Sequence, residues 1–509
     1  MELCDQYLDE LLVIDPTLND FLSNSSYRKD IQPNIYSESY YHKLHKLNKK
    51  YLQKIEKKSN KTRYDKLLMN DLQHSIVMEE KYEIYMYIPI DVFDNKLIDY
   101  ISECSGNGFY QFKQPSDYTD FMKRMKTLTP ITDEIIKKMK QGIKNNVTLY
   151  TKIVDEMIHQ LQTSIKTKSY YQKVPHQKQW DKCVDKYLVS NLQRLLSFLI
   201  NEYYEHCSTK CGLHSYKQGK DYYRKTIHYE ISKECSPENI HQFGQQELIL
   251  LQKELNKLHI QEPKSPYKHK REIIRDLKKI QKDIKQVNKH LFDKEVKDYK
   301  IKSISPEKKH MVAYYEKSTP QRNYGTFYIN TFDVKKWNPF ELVVLSLHEG
   351  YPGHHYEIEY HKDKHQPKYM DLWLNDAYSE GWAFYSEHMY PYKKDEFYYY
   401  KIQYDILRTL RLIIDTGIHY YKWDYETCFQ FMKDNSSMEE SRIHKELIRY
   451  LCMPGQALSY KVGGTIISKL RKLCLEKGYT VKEFHKLILS LGPCPMDELI
   501  HSVMGLLKN

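Results

Sequence analysis

The sequence predicts a mainly α protein with a small β-sheet beside one helix. Three observations carry that reading. Long segments repeat apolar residues three and four positions apart, helix-start signals precede some of them, and one short stretch is rich in aromatic and β-branched residues as strands are.

In chain order, helical periodicity marks "ITDEIIKKMKQGIKNNVTLYTKIVDEMIHQLQTSI" (131–165), "LVSNLQRLLSFLINEYYEHC" (188–207) and "ELILLQKELNKLHI" (247–260). "SPEN" and "SMEES" place Ser ahead of acids, as helix N-termini prefer. Segment 268–300 is dense in lysine, with Ile or Leu at 273, 274, 277, 280 and 284, which predicts a helix with a solvated basic face. The strand candidate is "GTFYINTF" (325–332), followed by "KKWNP" and a further helix. No internal repeat is present.

A chain of 509 residues can hold two or three domains, yet no long Pro, Gly or Ser linker divides it. The expectation is one domain over 1–509: a helical half over 1–230, a second half over 231–509, and a basic helical insertion at about 262–300. With 40% hydrophobic and 13% aromatic residues it can bury a substantial core. A mean hydropathy of −0.74 and the lack of an apolar run of about 18 residues argue against a membrane-spanning helix. "MELCDQYLDELLVIDP" carries acids where a secretory signal carries bases, so a cytoplasmic setting is expected. The 10 cysteines have no framework spacing, which suits reduced thiols. Cys207 and Cys211 are the one close pair, with His206 and His214 nearby, and free thiols are the favoured reading. The net charge of +12 is spread over 79 basic and 67 acidic residues, so nucleic acid is not a favoured partner.

The chemistry-bearing stretch is "LSLHEGYPGHHYEIEY" (345–360). Two histidines four apart on a helix lie about 40° apart and can share a metal. Here the later histidines stand six and seven positions after His348. His355 returns to the same face only in an unbroken helix. Pro352 and Gly353 predict a break or bulge, which can rotate His354 into place, with Pro352 opening a new helical turn. Glu349, beside the first ligand, is then placed to take a proton from a water in the site. Downstream, "WLNDAYSEGWAFYSEH" (373–388) presents Glu380 on a second helix. Two histidines and one glutamate make an open zinc site. The same words are similar to the "NEGFA" segment of zinc aminopeptidases, with Ser379 in place of Asn.

"HEGYPGHH", "SEGWAFYSE", "RLIIDTGIHYYKW" (411–423) and "RYLCMPGQALSYKVG" (449–463) together resemble the domain of unknown function 885 family, whose members look like zincin-fold, largely helical metallopeptidases. Weaker likeness extends through "YLDELLVIDPTLNDFL", "MKQGIKNNVTLY", "YYRKTIHYEIS" and "ENIHQFGQQEL", so the resemblance is near full length. It implies a zincin-like fold with the small sheet beside the active-site helix. Its "HExxPGH" pattern implies His354 as the second ligand, with His355 the alternative. The metal set is then His348, His354 and Glu380, with Glu349 as general base and acid.

Arg411, Asp415 and His419 stand four apart on one helix face, so a carboxylate could orient His419 as an oxyanion donor while Arg411 anchors it. Tyr460 is a second oxyanion candidate, and Lys461 or Arg449 a clamp for a peptide carboxylate. The strand "GTFYINTF" could offer a sheet edge to a peptide, with Asn330 holding its backbone. The expected activity is zinc-dependent hydrolysis of short peptides. The alternatives are a zinc hydrolase of another amide, or a non-catalytic protein whose basic helix holds acidic partners or nucleic acid.

Overall fold

The computed structural model describes residues 2–22, 27–106, 108–171, 173–260, 263–304, 311–318, 322–362, 366–372 and 375–508. Its architecture is mainly helical with one three-stranded sheet. The chain forms two compact units, each assembled from separated segments.

The first unit comprises Met1–Tyr222, Gln366–Trp373 and Lys445–Cys452. The periodic segment 131–165 becomes two helices, Leu128–Asn145 and Thr151–Thr167, because Asn146 takes a left-handed conformation (φ 57°) that closes the first. Segment 188–207 is helical through Ser190–Phe198, flanked on both sides by wider turns of π type. Phe112 and Phe121 each place a ring centroid 5.9 Å from that of the buried Trp180, and Arg124 pairs with Asp20 at 2.7 Å.

The second unit comprises Tyr223–His365, Leu374–His444 and Met453–Asn509. Its helices used below are α1 (Pro237–Asn256), α2 (Lys270–Asn288), α3 (Pro339–Glu349), α4 (His354–His361), α5 (Asp376–Ser386), α6 (Asp395–His419) and α7 (Ser459–Glu476). Its strands are β1 (Lys300–Ser303), β2 (Ala313–Glu316) and β3 (Thr326–Ile329). Ser236 caps α1 by accepting from Asn239 N at 3.1 Å. Leu248 and Leu251 of α1 and Ile402, Ile406, Leu410 and Ile413 of α6 form one apolar cluster. On α2, Ile273, Leu277 and Ile284 are buried while Arg271, Arg275, Lys278 and Lys282 are exposed, the amphipathic pattern expected.

The strand expected at 325–332 is β3, but it is the central strand of the order β1-β3-β2. β1 pairs with it in parallel and β2 antiparallel. Both edges of β3 are therefore occupied, and the expectation that it offers an edge to a peptide is corrected: the sheet's outer strands are β1 and β2. β2 packs against α3, so the sheet does lie beside that helix.

α5 and α7 cross closely, and glycine permits it. A Cβ at Gly463 would lie 2.0 Å from the Ala377 carbonyl oxygen, and one at Gly381 would lie 2.6 Å from the Gly463 carbonyl carbon. "SEGW" and "KVGG" are thus the two sides of one helix crossing. Gly463→Ala should destabilise the protein by about 1–3 kcal/mol through overpacking. Gly505→Ala, in a helix with nothing within 4 Å of the new methyl, should be neutral or stabilise by up to about 1 kcal/mol. Thermal unfolding of both variants checks the contrast.

Candidate metal centre

α3 starts where Asn338 Oδ1 accepts from Phe340 N (3.0 Å) and Glu341 N (2.9 Å), with Pro339 in the first turn where its missing N–H costs nothing. The helix is buried from Glu341 to His348, and His348 sits on its last turn. The chain then leaves the helix through Gly350–Gly353, with a cis Tyr351–Pro352 peptide, and α4 begins at His354. Pro352 lies outside both helices, where the sequence placed it in the first turn of a new one. Its carbonyl is instead turned to Trp382 Nε1, which donates to it at 2.9 Å. Gly353 packs so tightly on the end of α3 that a Cβ would lie 1.9 Å from the His348 carbonyl oxygen.

The helix break and the α5 crossing bring His348, His354 and Glu380 together, each offering a ligand atom within 4.8 Å of the others. Glu380 Oε2 lies 3.3 Å from His348 Nε2 and 3.4 Å from His354 Nε2. It is buried without a hydrogen-bond partner among the described residues. A tetrahedral zinc ion with bonds of about 2.0–2.2 Å spaces its ligand atoms about 3.3–3.6 Å apart. An orphaned carboxylate oxygen facing two imidazole nitrogens at that spacing fits such an ion. This is the one such group of three or more among the described residues, so the Cys207 region forms none.

The electrostatics follow from burial and proximity. For His348, burial opposes the charged ring, but Glu380 and Glu387 outweigh it and raise the pKa to about 9. His354 is raised in the same way, chiefly by Glu380 against burial. Against the pull of burial, the two imidazoles hold the Glu380 carboxyl well below the usual range. Burial raises the pKa of Glu349, and the neighbouring imidazoles only partly offset it.

His355 points elsewhere. Its Nε2 donates to the Lys297 carbonyl at 2.7 Å, which leaves Nδ1 to accept from Tyr315 OH at 2.8 Å. Burial lowers its pKa to about 4, so the ring is neutral. Both nitrogens are engaged, and His355 ties α4 to β2.

Sequence reasoning missed Glu387 and Arg408. Glu387 Oε1 lies 2.8 Å from His348 Nδ1 and accepts from Arg408 Nη2 at 2.8 Å. The available signal was spacing: Glu387 follows Glu380 by seven residues, two helical turns, and so returns to the same face.

The remaining candidates are placed as follows. The Tyr460 ring stacks on His348, nearly parallel, with centroids 6.1 Å apart, and the Arg411 guanidinium lies 4.5 Å from the Tyr460 centroid. Lys461 is buried in ion pairs with Asp405 (2.5 Å) and Glu247 (3.0 Å), so protein carboxylates take the place of a substrate's. Asp415 accepts from Tyr223 OH (2.5 Å) and Gly455 N (3.1 Å). His419 is fully buried with its ring 5.1 Å from that of Tyr223. Asn330 donates to the Met311 carbonyl at 2.8 Å and accepts from Phe332 N, shaping its own turn. Arg449 belongs to the first unit.

Fold and site together define a mainly helical protein with a largely enclosed His-His-Glu cluster at the broken end of a helix. The chain belongs to the family described as "Bacterial protein of unknown function (DUF885)", which matches residues 16–503. No curated protein matches it. Among solved structures it is similar to a putative lipoprotein from Colwellia psychrerythraea, with TM-score 0.89, 19% identity, and coverage of 100% of this chain and 98% of that one. It is also similar to a putative lipoprotein of unknown function from Shewanella oneidensis, with TM-score 0.76, 16% identity, and coverage of 100% and 99%. These likenesses show a shared fold. Among the described residues no helix is long and apolar enough to cross a membrane.

The Trp382 contact is testable without any metal. Trp382→Phe should leave the buried Pro352 carbonyl without its donor and cost about 1–3 kcal/mol, read as a lowered Tm.

Proposed function

We propose that this chain is a zinc-dependent peptidase acting on short peptides. The convergence of His348 Nε2, His354 Nε2 and Glu380 Oε2 beside Glu349 carries the reading. His348, His354 and Glu380 would hold a zinc ion, which would supply a Lewis acid able to polarise a peptide carbonyl and lower the pKa of a water towards about 7. Glu349, its carboxyl pKa raised by burial, takes the proton of the attacking water and returns it to the leaving amine. Tyr460 donates to the developing oxyanion. It is favoured over His419, which stands eight residues, about 12 Å of helix, beyond the Arg411 that covers Tyr460.

The peptide backbone is held by β2. Among the described residues no strand pairs with its outer edge, and Tyr315 fixes it to His355, next to a ligand. Burial favours short peptides: the Glu380 side chain is 18% exposed and that of His348 6%, too deep for a segment fixed in a folded protein. The 10 cysteines, none of them in a disulfide, support a cytosol-like setting as part of the same reading.

Metal-free protein should bind one zinc, and His354→Ala should abolish that binding while His355→Ala keeps it. Because the His348 pKa is raised to about 9, proton and metal compete at neutral pH. Affinity should therefore rise as pH increases towards 9, with proton release seen by calorimetry in buffers of different ionisation enthalpy. Glu349→Gln should keep zinc and lose about 10²–10⁴-fold in kcat on a peptide library, and Tyr460→Phe about 10²–10³-fold. Full activity in Glu349→Gln would overturn the mechanism.

A further inference from the structure

We infer that Glu387 and Arg408 are a positioning pair that fixes the tautomer and orientation of His348, an inference that rests on the metal reading above and not on the substrate. A neutral imidazole carries one proton, and an ionised carboxylate only accepts. Glu387 Oε1, 2.8 Å from Nδ1, therefore keeps a proton on Nδ1 when the ring is neutral and leaves Nε2, which faces Glu380 Oε2, as the nitrogen that would take a metal. Glu387 follows the last residue of α5 on the same face as Glu380, so one carboxylate binds Nδ1 and the other lies 3.3 Å from Nε2.

Arg408 completes the arrangement. Its Nη2 donates to the same Oε1 at 2.8 Å, and its guanidinium lies 4.7 Å from the Tyr404 centroid. A pair built to tie α5 to α6 would engage both carboxylate oxygens, as the bidentate geometry of arginine allows. Here the shared oxygen is the one that faces His348. Glu387 and Arg408 are both buried, where two apolar side chains would stabilise as well or better, so their charges are explained by the imidazole they serve.

The test is zinc affinity of the purified full chain, measured by competition with a chromophoric chelator, with circular dichroism to confirm folding. Glu387→Gln should bind zinc about 10- to 100-fold more weakly, and Glu387→Asp should recover part of the loss. The double variant Glu387→Gln, Arg408→Met removes both buried charges; it should fold at least as well as the single variant and remain weak in zinc. Affinity of Glu387→Gln within about twofold of the parent, against the tenfold or more expected, would overturn the inference, as would recovery in the double variant. A parent protein that binds no zinc overturns the inference and the metal reading together. Zinc binding that Glu387→Gln weakens, in a protein that hydrolyses no peptide, supports the inference and overturns only the peptidase reading.

Discussion

The helix break between Glu349 and His354 is the constraint on which the rest of the second unit's site depends. A helix running on past Glu349 would carry His354 about 120° from His348, onto another face. The break restores His354 by folding Gly353 onto the carbonyls of Leu347 and His348, at a distance that excludes any side chain there. It also leaves a buried carbonyl at Pro352, which must find a donor, and Trp382 of α5 supplies it. The residue that closes the break is thus two positions from Glu380, so one helix repairs the backbone and delivers the third candidate ligand. Delivery needs α5 to sit close to α7, and Gly381 and Gly463 remove the side chains that would hold them apart.

α6 adds a second layer of order. Asp405, Arg408, Arg411, Asp415 and His419 recur every three or four residues along a helix buried from Tyr404 to its end. Three of them reach partners on other elements: Lys461 of α7 for Asp405, Glu387 at the end of α5 for Arg408, Tyr223 for Asp415. Against burial, Lys461 and its neighbours hold the Asp405 carboxyl far below the usual carboxylate range. Apolar contacts tolerate sliding, because hydrophobic burial is non-directional, whereas a charge-assisted hydrogen bond fixes distance and angle.

Much of this was legible in the sequence, for physical reasons. Helical period exposed the amphipathic character of α2, and the aromatic and β-branched content of 325–332 exposed β3. The spacing of His348, Pro352, Gly353 and His354 exposed the break, because proline and glycine act locally. What was not legible depends on distant partners. β3 is central because "KIKS", a tetrapeptide with a single apolar residue, pairs with it in parallel and "AYYE" antiparallel. The single periodic run over 131–165 gave no warning that Asn146 would turn left-handed. Glu387 looked like any helix-end acid, and its role appears only when His348, 39 residues earlier, is set against it.

The same contrast explains why the site is more legible than its supports. A ligand set is constrained by chemistry to a few residue types, so His and Glu near a helix break stand out in one dimension. A support is constrained only to complete a hydrogen bond, and many residue types at many separations can do so. Arg408 illustrates this: its surroundings in sequence, "DILRTLRLII", read as an apolar core helix, in which an arginine has no local reason to be buried. Its partner is the Glu387 carboxylate, and behind that the His348 imidazole. A buried arginine on an otherwise apolar helix is understood only through the acid that another element brings to it.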